Sequence, residues 1–131
     1  MEKVRGIGGV FFKSKDPDAL KRWYAQHLGV PLDEQGYVSF DWKRSEDGSD
    51  AMTVWSPFSP STKYFDPSTR EFMVNFIVDD LDAMLQQLRD AGCTVDETVE
   101  DGEFGSFGWV LDPDGTRIEL WQPPATFPKS P

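Results

Sequence analysis

The feature that most constrains this chain is that it repeats itself. Residues 9–14, Gly-Val-Phe-Phe-Lys-Ser, have strand character and lead into Asp16-Pro17-Asp18. A capping acid followed by proline at the first helical position starts a helix. Leu20, Trp23, Tyr24 and Leu28 follow at helical spacing, and Gly29 supplies the stop. The order then recurs. Residues 73–78, Met-Val-Asn-Phe-Ile-Val, precede Asp79-Asp80, a helix carrying Met84, Leu85 and Leu88, and Gly92. Asp16 and Asp80 lie 64 residues apart, and Gly29 and Gly92 lie 63 apart. Met52-Thr53-Val54-Trp55-Ser56-Pro57 matches Ile118-Glu119-Leu120-Trp121-Gln122-Pro123 at an offset of 66. Strand, helix and final strand in one order at nearly constant spacing point to a tandem duplication.

Each half has room for further strands. Residues 37–42 and 51–55 flank the polar turn Arg44-Ser45-Glu46-Asp47-Gly48-Ser49 in the first half. In the second, residues 95–99 and 107–111 precede Asp112-Pro113-Asp114-Gly115. With proline second and glycine fourth, this reads as a type I turn into residues 117–121. The expectation is an α+β fold: two βαβββ modules forming curved mixed sheets around a cavity, with the helices outside. One domain spans residues 1–124, with module one at about 4–58, a Ser- and Pro-rich connector at 59–69 and module two at about 70–124. A proline-rich tail, 125–131, follows.

A length of 131 residues suits one core. The net charge of −10 repels phosphate backbones, so nucleic acid is not an expected partner, while a cationic ligand would be attracted. No apolar run is long enough to span a bilayer, so no membrane partner is expected. The N-terminus, Met1-Glu2-Lys3-Val4-Arg5, lacks a signal-peptide stretch, which makes the cytoplasm the expected location. The single cysteine, Cys93, excludes an internal disulfide and reads as a small buried hydrophobe. Five Trp and ten Phe suggest a lined cavity or an interface.

Strand side chains alternate between faces. Val10, Phe12, Met52, Val54, Val74, Phe76, Ile118 and Leu120 form the apolar sets expected under the helices. The other face then carries Gly9, Phe11, Thr53, Trp55, Met73, Asn75, Arg117, Glu119 and Trp121, with Trp109 nearby. That mixture of polar and aromatic groups suits a ligand cavity. Gly6-Ile7-Gly8-Gly9 precedes a strand instead of linking one to a helix, so it reads as backbone room at a strand start or at a close contact and not as a phosphate loop. Residues 102–109, rich in glycine and aromatics, could close over a ligand or merely turn.

The paired modules, the strand-Asp-helix-Leu-Gly opening and the run Asp112-Pro113-Asp114-Gly115-Thr116-Arg117-Ile118-Glu119-Leu120-Trp121 resemble the vicinal-oxygen-chelate superfamily, which includes glyoxalases, extradiol dioxygenases and bleomycin-resistance proteins. The resemblance covers residues 4–124. It implies a ligand cavity between the modules, a homodimer, and metal ligands on the first and last strand of each module. Those positions fall at Gly9, Thr53, Met73 and Glu119. Only Glu119 is a strong ligand, and a zinc or non-haem iron site needs about three. The one histidine, His27, sits at a helix end, where the dipole favours it. No cofactor is expected, and Glu119 is the one residual point at which a divalent metal could attach.

Two functions follow. The first is a glyoxalase- or bleomycin-resistance-like protein that binds a small cationic or aromatic molecule without metal. Its site would comprise Phe11, Thr53, Trp55, Met73, Asn75, Trp109, Arg117 and Trp121 around Glu119. The second is a glyoxalase-like lyase or isomerase with Glu119 as general base, its pKa raised by an apolar pocket. Arg117 would orient an anion there, or else form an ion pair with Glu119.

Overall fold

The computed structural model describes residues 1–125; most of the proline-rich tail lies outside the described residues. The elements run β1 (Val4–Lys13), α1 (Pro17–Leu28), β2 (Val38–Lys43), β3 (Asp50–Phe58), β4 (Phe72–Val78), α2 (Leu81–Asp90), β5 (Thr94–Val95), β6 (Glu100–Gly102), β7 (Gly105–Leu111) and β8 (Arg117–Gln122). They build one eight-stranded mixed sheet in the order β2-β3-β1-β4-β8-β7-β5, with β6 paired to β7. The fold class is α+β, as the repeat implies, and the halves join within one chain through antiparallel β1 and β4. Each half also holds a parallel pair, β1 with β3 and β4 with β8, which the intervening helix makes possible.

Local signals set the helix ends. Asp16 accepts from the Ala19 N–H at 3.1 Å, and Asp80 from the Ala83 N–H at 3.0 Å. Gly29 takes the left-handed conformation at φ 69°, which glycine adopts without a Cβ penalty. Asp112 Oδ1 accepts from the N–H groups of Asp114 and Thr116, fixing the β7–β8 turn.

The two repeats are unequal. In the first, only an isolated bridge between Leu32 and Val38 stands where a further strand was expected. In the second, the strand expected at 95–99 shrinks to Thr94–Val95, and β6 adds a short hairpin with β7. In that hairpin Glu103 and Phe104 make the turn, and residues 105–109 belong to β7. Helix α2 buries Leu81, Met84 and Leu85 against Val78, Val110 and Leu120. Helix α1 has no fully buried residue; Trp23 and Leu28, expected in its apolar stripe, are 51% and 63% exposed. Where α2 offers Leu85, the repeat offset puts Lys21 on α1, whose Nζ donates to the Gly36 carbonyl at 2.9 Å instead of packing into a core. Cys93 is exposed, contrary to expectation, because it follows Gly92 at the outer exit of α2.

Glycines of β1 allow close approaches, Gly8 to the second half and Gly6 within the first. A Cβ on Gly8 would stand 2.3 Å from Asn75 Oδ1 and 2.8 Å from the Trp121 ring. One on Gly6 would stand 2.4 Å from the Trp42 ring. Register shifts in the β1–β4 ladder, between Val4/Gly6 and Ile7/Gly9, accompany these approaches.

Candidate functional site

The face of the sheet away from α2 converges on one carboxylate. Glu119 lies in the middle of β8, with Asn75 of β4 on one flank and Trp109 of β7 on the other. Direct cross-strand pairing puts all three side chains on one face. Glu119 is 2% exposed. Its Oε1 accepts from Asn75 Nδ2 at 2.6 Å, and its Oε2 from Trp109 Nε1 at 3.0 Å and from the Tyr64 hydroxyl. Burial pushes its pKa up; the hydrogen bonds from Tyr64, Asn75 and Trp109 and the charge of Arg117 oppose that shift.

Arg117, two residues earlier on the strand, forms no ion pair with Glu119. Its guanidinium lies over the Trp109 ring at 4.6 Å, donates to the Tyr64 carbonyl at 2.5 Å and pairs with Asp96 at 3.3 Å. Hydrogen bonding from the Thr98 N–H, and then from Arg117, holds the Asp96 carboxyl below its usual range. The carboxylate at the centre therefore takes only neutral donors.

The expected cavity wall is partly assembled. Phe11, Met73, Asn75, Trp109 and Glu119 come together, and all are buried. Trp121 is buried one step along, against Ala51 and Ile77, and its Nε1 donates to the Phe104 carbonyl at 2.7 Å. Trp55 does not join them. Its partner across the ladder is Val10, and its ring meets Phe12 at 5.3 Å and Tyr24 of α1 at 4.5 Å. Val54, placed under a helix by simple alternation, packs instead with Phe11. The sequence repeat equates Trp55 with Trp121, but β3 and β8 present those positions differently. Thr53 is also elsewhere: its hydroxyl donates to the Ile7 carbonyl at 2.5 Å and accepts from Trp42 Nε1 at 2.9 Å.

Two residues missed by the sequence reading complete the site. Tyr64 and Phe65 belong to the connector, yet Phe65 is wholly buried against Phe11, Met73 and Trp109. They are the only aromatics within residues 59–69, and an aromatic pair in a Ser/Pro-rich segment is the signal that could have exposed them. They fill the space expected to be open. A separate cleft of about 110 Å3 is lined by Pro67, Asp96, Trp109 and Arg117 among others.

The residues do not fit a metal centre. Gly9 brings no donor, the Thr53 hydroxyl is engaged, and Met73 is packed among aromatics. Among the described residues, no three His, Cys, Asp or Glu side chains converge.

A duplicated α+β sheet curved around a buried carboxylate defines a protein of the glyoxalase type. A family model described as a glyoxalase-like domain matches residues 9–121, and the chain belongs to that family. Among curated proteins, no sequence match is found. Among solved structures, methylmalonyl-CoA epimerase from Mycobacterium tuberculosis is similar at 26% identity and TM-score 0.60, over 92% of this chain and 89% of that one. A Streptomyces coelicolor methylmalonyl-CoA epimerase variant, in complex with 2-nitronate-propionyl-CoA, is similar at 18% identity and TM-score 0.68, over 94% and 100%. A methylmalonyl-CoA epimerase in complex with methylmalonyl-CoA and NH4+ shares the fold at 18% identity and TM-score 0.68, over 97% and 100%. No helix of the described residues is long and apolar enough to cross a membrane.

Proposed function

We propose that this chain binds a small cationic or aromatic molecule, without a metal, at the site around Glu119, Trp109 and Phe11 that Tyr64 and Phe65 fill in this structure. The observation that carries the reading is the state of Glu119: 2% exposed, held by neutral donors, with its nearest arginine committed to Asp96. A buried carboxylate is costly without a counter-charge, and a cationic group on a ligand would supply one. Aromatic walls favour such a group further. The overall charge of −10 draws cations toward the protein.

Calorimetric titration of benzylamine and tyramine into wild-type protein and Glu119→Gln tests this. The substitution keeps the shape and removes the charge. Affinity is expected to fall about tenfold or more, as for a lost charged hydrogen bond. Equal affinity for both proteins would remove Glu119 from the site and end the reading.

A second reading is favoured by the upward shift of the Glu119 pKa and by the epimerase relatives. Glu119 would take the proton from a carbon next to a carbonyl, and the Tyr64 hydroxyl, already at its carboxylate, stands where a proton could be returned. Deuterium uptake by methylmalonyl-CoA in heavy water is the assay. Under this reading Glu119→Gln binds the thioester normally and loses at least about a hundredfold in exchange rate. Absence of enzyme-dependent exchange refutes it.

A further inference from the structure

The residues that close the site look like a ligand themselves. The Tyr64 ring stacks on Phe58, with centroids 5.7 Å apart and planes at 15°. It meets Trp109 edge-on, at 6.3 Å and 89°, and lies below the Arg117 guanidinium at 5.8 Å. Its hydroxyl ends on Glu119 Oε2. A flat ring between aromatic walls, with a donor at its far end on the only buried carboxylate among the described residues, is the arrangement a small aromatic ligand would adopt. We infer that Tyr64 and Phe65 are an internal occupant of the ligand cavity, and that the natural ligand is a small phenol or protonated arylalkylamine that displaces them and takes the place of the Tyr64 side chain. This rests on the binding reading above and gives it a ligand class.

The connector is built so that it could leave as a unit. Several of its hydrogen bonds close within itself: Thr62 N–H to the Ser59 carbonyl, Tyr64 N–H to the Thr62 hydroxyl, Asp66 N–H to the Lys63 carbonyl and Ser68 N–H to the Phe65 carbonyl. Its polar ties to the sheet include Tyr64 to Glu119 and Arg117 to the Tyr64 carbonyl, and Lys13 lies 5.9 Å from the Phe65 ring centroid. A ligand carrying its own donor replaces the first tie and leaves the internal turns intact. The cleft lined by Asp96, Trp109 and Arg117 touches the connector at Pro67 and would give a ligand its first foothold. Burial, and then the Glu119 charge, push the Tyr64 hydroxyl upward in pKa, so a phenol held there stays protonated and remains a donor.

The experiment uses p-cresol and tyramine as probes, with wild type, Tyr64→Phe and Tyr64→Ala. Calorimetry gives the affinities, and mass spectrometry follows tryptic cleavage after Lys63, which is exposed on the connector. Wild type is expected to bind both probes, and each probe is expected to speed cleavage at Lys63. Tyr64→Ala removes the competing ring and should bind at least about tenfold tighter. Tyr64→Phe keeps the ring and loses the hydroxyl, so it should show a smaller gain and faster basal cleavage. If Tyr64→Ala fails to fold, the Tyr64→Phe result decides. Probe binding by Tyr64→Ala alone, with wild type silent and Lys63 protected, would make the connector permanent core and overturn the inference. Glu119-dependent binding of benzylamine with Lys63 still protected would overturn it while leaving the binding reading intact. Absence of any Glu119-dependent binding would overturn both.

Discussion

At the residue scale, Glu119 is one of the groups through which stability responds to pH. A carboxyl whose pKa rises on folding holds its proton longer in the folded chain than in the unfolded one. Its contribution is therefore fullest below about the ordinary value of 4.5 and is lost as pH climbs through the folded value. Glu119→Gln removes this dependence. Chemical denaturation across pH should show the variant gaining on wild type above that point, by up to about 1.4 kcal/mol per pH unit until the folded pKa is passed. A constant difference would mean that Glu119 titrates normally. Asp79 has the opposite sign. The hydrogen bond from Arg44 lowers its pKa, so its contribution is present above about 3.8 and lost as pH falls further. Gly8 gives a steric prediction. Gly8→Ala would press a methyl group on Asn75 and Trp121 and should cost about 1–3 kcal/mol in the same assay.

At the element scale, the two helices should respond differently to one kind of change. Leu85 of α2 is sealed against Leu81, Val110 and Leu120, so Leu85→Ala should cost about 2–5 kcal/mol. Leu28 of α1 is 63% exposed, and Leu28→Ala should stay within about 0.5 kcal/mol. Equal losses in urea titrations would contradict the packing asymmetry. The sequence conveyed the helices well because their signals are local: Asp16 and Asp80 as caps, Gly29 as stop, and the aspartate-built turn before β8. It conveyed the Glu119, Asn75 and Trp109 convergence because period-two alternation holds across β4, β8 and β7. It misplaced Trp55 because alternation counted from Thr53 does not fix which way β3 turns beside the shifted β1 register. It misread the connector because serine and proline report a loop, while the burial of Tyr64 and Phe65 depends on walls more than 40 residues away in sequence, Trp109 and Glu119.

At the scale of the whole molecule, the surface still carries apolar groups without a covering element. Val4, Ile7, Trp23, Leu28, Phe40 and Phe72 are each more than two-fifths exposed. Side chains of this kind favour association. A homodimer is the expected state, and light scattering should return about twice the 14.9 kDa chain mass. A concentration-independent monomer would contradict it. Between the halves, Arg5 and Arg44 both hold Asp79, at 2.8 Å each. These groups are partly exposed, so high salt should weaken the link and lower stability only slightly.

The seat of Tyr64 also has a history in time. Glu119 lies 55 residues further along the chain, on a strand that pairs locally with β7 and reaches the rest of the sheet by parallel pairing with β4. Pairings of such long reach close slowly, because the loop entropy is lost before the contact is made. The Tyr64 hydroxyl has nowhere to dock until β4, β7 and β8 stand side by side, which makes its bond one of the late events of folding. An interaction absent from the transition state acts on the return journey: its loss hastens unfolding and leaves the folding rate nearly unchanged. In stopped-flow measurements Tyr64→Phe should therefore steepen the escape from the native state, about tenfold for a bond to a charged acceptor, while refolding proceeds at close to the wild-type pace. The phenol that closes the cavity would then act as the latch that sets how long the native protein lasts.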